Sequence, residues 1–402
     1  MKPELTKTAG GYKLTWQSDN VTVNVTRVRE TKTYTSCYIV VSTNAGHLKE
    51  GNLSLTNIKE RTSLAKELTT LYPIDWSSIL EQLCVLVLRE IRRGEPVYVL
   101  GEGVAERPEW LCEPFILANQ PSVIFGAPSS GKSTFALILA AYLSTGYLAN
   151  NCRMTVPAAS HRILYLDWET YKGGIEWQLQ CIKKGMGIEV NFPVFYRRCS
   201  VPLADDIEEI NNVAEEYQVD GIWVDSLGLA AGGDLNSPEA ALRFFSALRV
   251  LNRTPLLLAH NARGGENTDK HIFGSMFFEA TARNIWEIVK TQDDDDSMSI
   301  GLYHKKPPPF SKMYPPMGYR IDFTDDSTLI EWQDPKSVDE LVKRMSANTQ
   351  ILEILKRGRM STSKIVEETG LKADSVRVSI HRLKSKGLII KMGDDYCLPA
   401  RQ

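Results

Sequence analysis

Long apolar runs, paired cysteines and an excess of either charge are all missing from this 402-residue sequence. The longest greasy stretch, 79–88 (ILEQLCVLVL), is too short to span a bilayer and carries Glu81 and Gln82. No apolar core of signal-peptide type follows the first residues, Met1-Lys2-Pro3-Glu4. The seven cysteines, at 37, 84, 112, 152, 181, 199 and 397, form no CxxC pair, so neither a disulfide framework nor a zinc ribbon is expected. The expectation is a cytoplasmic protein in a reducing compartment, without a membrane partner. Lys+Arg number 47 against 49 Asp+Glu, a formal charge of −2, which excludes indiscriminate coating of nucleic acid. A whole-chain sum does not exclude a local basic module. No internal repeat is found.

What is present is an ordinary globular composition, 43% hydrophobic and 24% charged. The length predicts about two to four domains. Residues 1–100 read as a small α+β domain. Val21, Val23 and Val25 alternate with polar residues, and 34–41 is rich in β-formers. Helices are predicted over 57–71 and 75–93, the second capped by Asp75. This region carries no motif that converts into chemistry. From 101 to 330 short apolar runs alternate with amphipathic helices, the pattern of a parallel α/β sheet. Strands are predicted at 121–125, 163–166, 193–196, 221–224, 255–259, 285–289 and 298–303. Residues 331–346 read as a polar linker, and a third unit fills 347–402.

Gly126-Ala127-Pro128-Ser129-Ser130-Gly131-Lys132-Ser133-Thr134 matches GxxxxGK[ST] between an apolar strand and an apolar-periodic helix, the context this phosphate-binding motif requires. Glycines let backbone N–H groups curl around phosphate oxygens, and the helix N-terminus adds positive potential. Lys132 supplies a charge to the β/γ-phosphates and Ser133 a hydroxyl to Mg²⁺. ATP and Mg²⁺ are the expected cofactors, although the loop reads phosphates rather than the base. The strand 222–225 ends in Asp225, read as the Mg²⁺-side carboxylate. The strand 163–167 is followed by Glu169, read as the base for the attacking water. Asp167 is the competing base, read instead as a strand-end carboxylate that caps a loop. His260 ends the strand 255–259, where a polar side chain can touch the γ-phosphate.

Together GAPSSGKST, LYLDWET, VDSLGLAAGGDLNSPEA, LLLAHNARGG, FGSMFFEATARNIWEIVK and LYHKKPPPFSKMYPPMGYRIDF resemble the RepA-like RecA-fold ATPases, a group that includes plasmid hexameric replicative helicases, with DnaB-type helicases more distant. The resemblance covers roughly 108–325. It implies a homo-oligomeric ring of hexameric type, in which a basic residue of the neighbour reaches each γ-phosphate. The matching hairpin carries Lys306, the favoured finger, and Lys305. Here Pro307-Pro308-Pro309 follow, where the family often has Asn or Arg and Gly. The resemblance further implies that the loops after Asp225 and His260 face a channel holding single-stranded DNA, with Arg263 and Lys270 as its cations.

The C-terminal unit reads as helices 349–357, 361–369 and 373–386 followed by a hairpin over 388–398, and it resembles a winged helix-turn-helix. Residues 347–402 hold eleven Lys+Arg and six Asp+Glu, a local +5 that leaves −7 on the rest. Arg377, His381, Arg382, Lys384 and Lys386 decorate the third helix and would meet duplex DNA, with Ser375 and Ser379 facing the groove. The expected function is an ATP-dependent DNA translocase or helicase acting in replication of a plasmid, phage or mobile element. The alternative is an ATP-switched DNA-binding regulator or loader. A primase–helicase fusion is disfavoured, because 1–100 shows neither a zinc-ribbon pattern nor an acidic metal triad.

Overall fold

The structure, a computed structural model, describes all residues except 1, 9, 31–33, 94–96, 98, 100, 102–106, 147–152, 189–191, 193, 263–270, 293–295, 344 and 400–402. Two compact units interleave along the chain. One comprises Met1–Pro108, Cys199–Val219 and Leu229–Arg253; the other comprises Glu109–Arg198, Asp220–Gly228 and Thr254–Gln402. Helices Ile207–Glu216 and Pro238–Leu251, which lie in sequence within 101–330, therefore belong to the first unit.

In the first unit, strands Glu4–Thr8, Gly11–Trp16, Val21–Glu30, Thr35–Thr43 and Gly46–Ser54 form an antiparallel meander, each beside the next. The alternation puts Val23 opposite Val41 and Val25 opposite Ile39, all on the buried face. Helices Ile58–Leu71 and Trp76–Arg93 cover that face with Leu68, Trp76, Leu80, Leu83 and Val87. Burying each such side chain contributes about 1.5–3 kcal/mol. Asn57 caps the first helix by accepting from the Lys59 and Glu60 N–H groups. Asp75 caps the second, accepting from Ser78 N–H at 3.1 Å and its hydroxyl at 2.7 Å.

The second unit is built on a nine-stranded sheet. In spatial order its strands are Val194–Arg198, Ile163–Asp167, Gly221–Asp225, Thr254–His260, Ser122–Gly126, Asn284–Gln292, Ser297–Lys306, Met317–Phe323 and Thr328–Gln333. The first six run parallel; the last three add antiparallel hairpins. Several parallel strands are buried along their whole length, which explains their continuous apolar runs. Helix Lys132–Thr145 is buried almost end to end, so it is apolar all round rather than amphipathic. Trp223 anchors it by donating its indole N–H to Ala136 O at 2.9 Å. In register, His260 lies beside Gly126, and Asp225 lies between Asp167 and Leu258. The carboxyl ends of these four strands therefore finish at one edge.

The stretch 331–346 is not a solvated linker. Glu331–Gln333 complete the last strand, Pro335–Ser337 form a 3₁₀ turn and Asp339–Val342 a helical turn. Leu341 is fully buried, Met345 nearly so, and Tyr303 donates its hydroxyl to Leu341 O at 2.7 Å. Polar composition hid a few apolar anchors at spaced positions. Beyond it, helices Ala347–Leu355, Thr362–Thr369 and Ala373–Ser385 enclose a small core with Ile351, Ile365, Val376, Ile380 and Leu383. Strand Asp395–Cys397 lies between Met360–Ser361 and Ile390–Met392, antiparallel to both. Gly370, at φ 65°, closes the second helix.

Candidate nucleotide site and its surroundings

The loop Gly126–Gly131 connects a buried strand to the N-terminus of a buried helix. Its turn needs left-handed backbone at Ser129 (φ 59°) and Gly131 (φ 85°). A Cβ on Gly126 would lie 2.4 Å from Ile288 O and 2.8 Å from Ser130 Oγ, so the cradle admits only glycine. The Ser130 hydroxyl is buried and has no protein partner. Such an orphan fits a loop shaped to meet phosphate oxygens. Lys132 folds its ammonium back onto Ala127 O at 2.7 Å and Gly126 O at 3.3 Å. Burial lowers its pKa, opposed by the Asp225 and Glu169 charges. Ala127, Pro128 and Thr134 complete the motif around it.

Ser133 Oγ donates to Asp225 Oδ2 at 2.7 Å, joining the two expected Mg²⁺ ligands. Tyr165, which the sequence reading missed, donates its phenol to the same oxygen at 2.5 Å. Burial pushes the Asp225 carboxyl up; the two hydroxyl donors offset this only in part, and the Glu169 and Asp167 charges add to it. Burial, then the Asp225 charge, likewise holds the Tyr165 phenol protonated. Among the described residues no group of three or more His, Cys, Asp or Glu could hold a metal. A Mg²⁺ at Ser133 and Asp225 would therefore complete its shell with phosphate oxygens and water.

Asp167 is fully buried, and its carboxylate is taken up locally. Glu169 N–H (2.8 Å), Thr170 N–H (2.9 Å), Thr170 Oγ1 (2.6 Å) and Tyr196 OH (2.8 Å) all donate to it. Burial opposes its charge, but these donors prevail and hold its pKa low. Arg198 adds a bond to its carbonyl at 2.8 Å. Asp167 thus folds the loop that presents Glu169. The Glu169 carboxylate is partly exposed, with Oε1 3.3 Å from His260 Nε2. His260 Nδ1 is buried without a partner. Tyr196 and Arg198 were also missed; no local motif marks them, and only strand pairing brings them to Asp167.

The hairpin lysines sit elsewhere. Lys306 pairs with Ile285, which pairs with Val123, so Lys306 lies about 10 Å from Gly126 along the strand direction. It cannot serve its own phosphate loop. Its ammonium donates to Glu279 O (2.7 Å), Ala280 O (2.9 Å) and Ala282 O (2.7 Å), capping helix Met276–Thr281. Burial and Arg283 lower its pKa against the pull of Glu279. The favoured finger is therefore a cap within its own chain. Lys305 occupies a bulge in the hairpin, where the register shifts between Ile285 and Trp286, and lies 3.5 Å from the buried carboxylate of Glu287.

Arg263 and Lys270 lie outside the described residues. In the C-terminal unit Arg377, His381, Arg382, Lys384 and Lys386 are all exposed, with Arg377 3.2 Å from Asp374. Ser379 is buried, because it lies three residues after Val376 and four before Leu383 on the packed face, so it does not face a groove. Among the described residues no helix is long and apolar enough to cross a membrane.

Residues 98–266 match the family model of the AAA domain. The match spans the phosphate loop, Glu169, Asp225 and His260, and with their geometry it is consistent with a P-loop core of nucleotide-binding type. Among solved structures, a KaiC-like protein of the hyperthermophilic archaeon Pyrococcus horikoshii OT3 aligns over 56% of this chain and 98% of its own. It is 13% identical with a TM-score of 0.38, a likeness too weak to add to that reading. No curated protein matches the chain significantly.

Proposed function

We propose that this chain is an ATP-driven motor that translocates along or unwinds DNA as a hexameric ring, in replication of a plasmid, phage or mobile element. The observation that carries it is the cluster at the sheet's carboxyl edge: Ser133 on Asp225, with Glu169 beside His260. In this reading Glu169 takes the proton of a water whose oxygen attacks the γ-phosphorus, and the β–γ bridging bond breaks. Lys132 leaves the loop carbonyls and neutralises charge on the phosphates. Bound through Ser133 and Asp225, Mg²⁺ would supply Lewis-acid stabilisation of the phosphate oxygens. His260 reports the state of the γ-phosphate to the following loop, whose Arg263 and Lys270 would track a single strand. The C-terminal helices and hairpin are read as a winged helix, its exposed cations resting on duplex phosphates. A neighbour's hairpin lysine, Lys305 once it leaves Glu287, would complete each site.

Strand displacement on a forked duplex, run alongside ATPase assays, tests the motor. Turnover stimulated by single strands together with unwinding is the expected result. A second reading, an ATP-switched DNA-bound regulator or loader, is favoured by one observation: both hairpin lysines are engaged within their own chain. Tight duplex binding with slow, unstimulated turnover would select it.

A further inference from the structure

The geometry points to Lys306 as a positioning residue that couples the γ-phosphate sensor of its own subunit to the Pro307–Pro316 hairpin loop, acting within that subunit. This rests on the ATPase reading above, and the ring enters only through Lys305.

A continuous chain of contacts supports it. Glu169 touches His260 at 3.3 Å. Phe273 N–H donates to His260 O at 2.9 Å, and Asn261 bridges Ile272, so the chain at Ile272 and Phe273 returns directly beside the sensor strand. Glu279 then acts at both ends. Its carboxylate accepts the Ile272 N–H at 2.7 Å and meets His271 Nδ1 at 3.2 Å, fixing that return. Its carbonyl, with those of Ala280 and Ala282, accepts the three bonds of Lys306. Those carbonyls end a six-residue helix and have no intrahelical donors, so a side-chain cation is their natural partner.

On the hairpin side the anchorage continues. Two residues before Lys306, His304 Nδ1 accepts the Tyr314 N–H at 3.0 Å, tying the far end of the proline loop to the same strand. Trp110 meets Phe310 and Tyr314 edge-on, with centroids 6.4 and 6.2 Å away. A displacement of His260 by a γ-phosphate would thus pass through Glu279 to Lys306 and into a loop with little freedom of its own. At the bulge Lys305 meets the Glu287 carboxylate, while Lys306 caps the helix carbonyls. Two adjacent lysines thereby do different work.

The test uses the full chain with Lys306→Ala, Lys306→Arg, Glu279→Gln, the Lys306→Ala/Glu279→Gln double variant and Lys305→Ala. Coupling of this kind changes rates about threefold to tenfold. Lys306→Ala and Glu279→Gln should each lower single-strand-stimulated kcat by that factor, with KM for ATP within about twofold. The double variant should fall no further than the weaker single one, because both changes cut one path. Lys306→Arg should recover part of the loss, since a guanidinium can reach the same carbonyls. Mixing Lys306→Ala with Glu169→Gln subunits should give no activity beyond the sum of the two. Restored activity in that mixture would place the action of Lys306 at a neighbour's site, as finger or as hairpin anchor, and overturn the proposal; so would wild-type kcat in Lys306→Ala or additive losses in the double variant. Should Lys306→Ala fail to fold, Glu279→Gln enters the same mixing assay, where restored activity again overturns the proposal. Lys305→Ala mixed with Glu169→Gln should regain activity. Its failure would count against the ring reading alone, because the kcat losses and the double variant are read within one chain.

Discussion

Acidification should loosen the proline hairpin at one residue, His304. Its ring is 7% exposed and stacks on Trp286, with centroids 4.3 Å apart and planes 6° from parallel. Asn284 donates its amide to Pro114 O and Phe115 O at 3.0 and 2.8 Å, so its Oδ1 faces His304 Nε2 at 2.8 Å. Nε2 must therefore carry the proton, and Nδ1 accepts from Tyr314 N–H. Protonating Nδ1 would set two N–H groups against each other in a buried site. Burial lowers the His304 pKa from 6.5 to about 4, against a backbone hydrogen bond with Lys306 that raises it. The unfolded chain takes up this proton near 6.5 and the folded chain only near 4. The stability contribution is therefore complete above pH 6.5 and is lost as pH falls toward 4. A depression of roughly 2.5 units at about 1.4 kcal/mol each amounts to about 3 kcal/mol. Urea unfolding followed by tryptophan fluorescence at pH 7.5, 6 and 5 measures it, with His304→Phe as reference. The variant keeps a stacked ring but strands Asn284 Oδ1 and the Tyr314 N–H, so it should start less stable and lose less on acidification. Parallel pH profiles for the two proteins would refute the reasoning.

Asp225→Asn should stabilise the nucleotide-free protein by about 0.5–2 kcal/mol, because it removes a buried charge while keeping an acceptor for Ser133 and Tyr165. The same variant should lose Mg²⁺-dependent stabilisation by ATP; thermal melts with and without Mg-ATP check both. Gly131→Ala should abolish nucleotide binding, measured with a fluorescent ATP analogue, since a Cβ at φ 85° would also meet Met298 Cε at 2.9 Å. Replacing Arg377, Arg382 and Lys384 by Gln should flatten the dependence of log duplex affinity on log salt by about 0.9 for each phosphate deprived of its cation. An unchanged slope would argue against duplex contact by this helix.

Much of the fold could be read in the sequence where period and punctuation agree. The phosphate loop announces itself because glycine, lysine and serine must fall at fixed spacing between a strand and a helix. The apolar strands 163–167 and 221–225 end in carboxylates that the register sets side by side. The helix cap at Asp75 is local, so it is legible too. What could not be read depends on distant partners. Tyr165 looks like one more apolar strand residue until its hydroxyl meets Asp225. Tyr196 and Arg198 gain meaning only when their strand pairs with the one ending in Asp167. Lys306 resembles a solvent-facing hairpin lysine in sequence; a helix more than twenty residues upstream captures it. The 331–346 stretch misled because its charge outweighed Leu341 and Met345 in composition, whereas burial is decided residue by residue.

Glu169 is proposed as the base of an ATPase whose metal side is Ser133 and Asp225. Phosphate release by Glu169→Gln, measured beside its ATP affinity, tests this most directly. Binding within about threefold of wild type is expected, with turnover lower by roughly 10²–10⁴. Turnover like that of the wild type in a variant that still binds ATP would contradict it and place the base elsewhere.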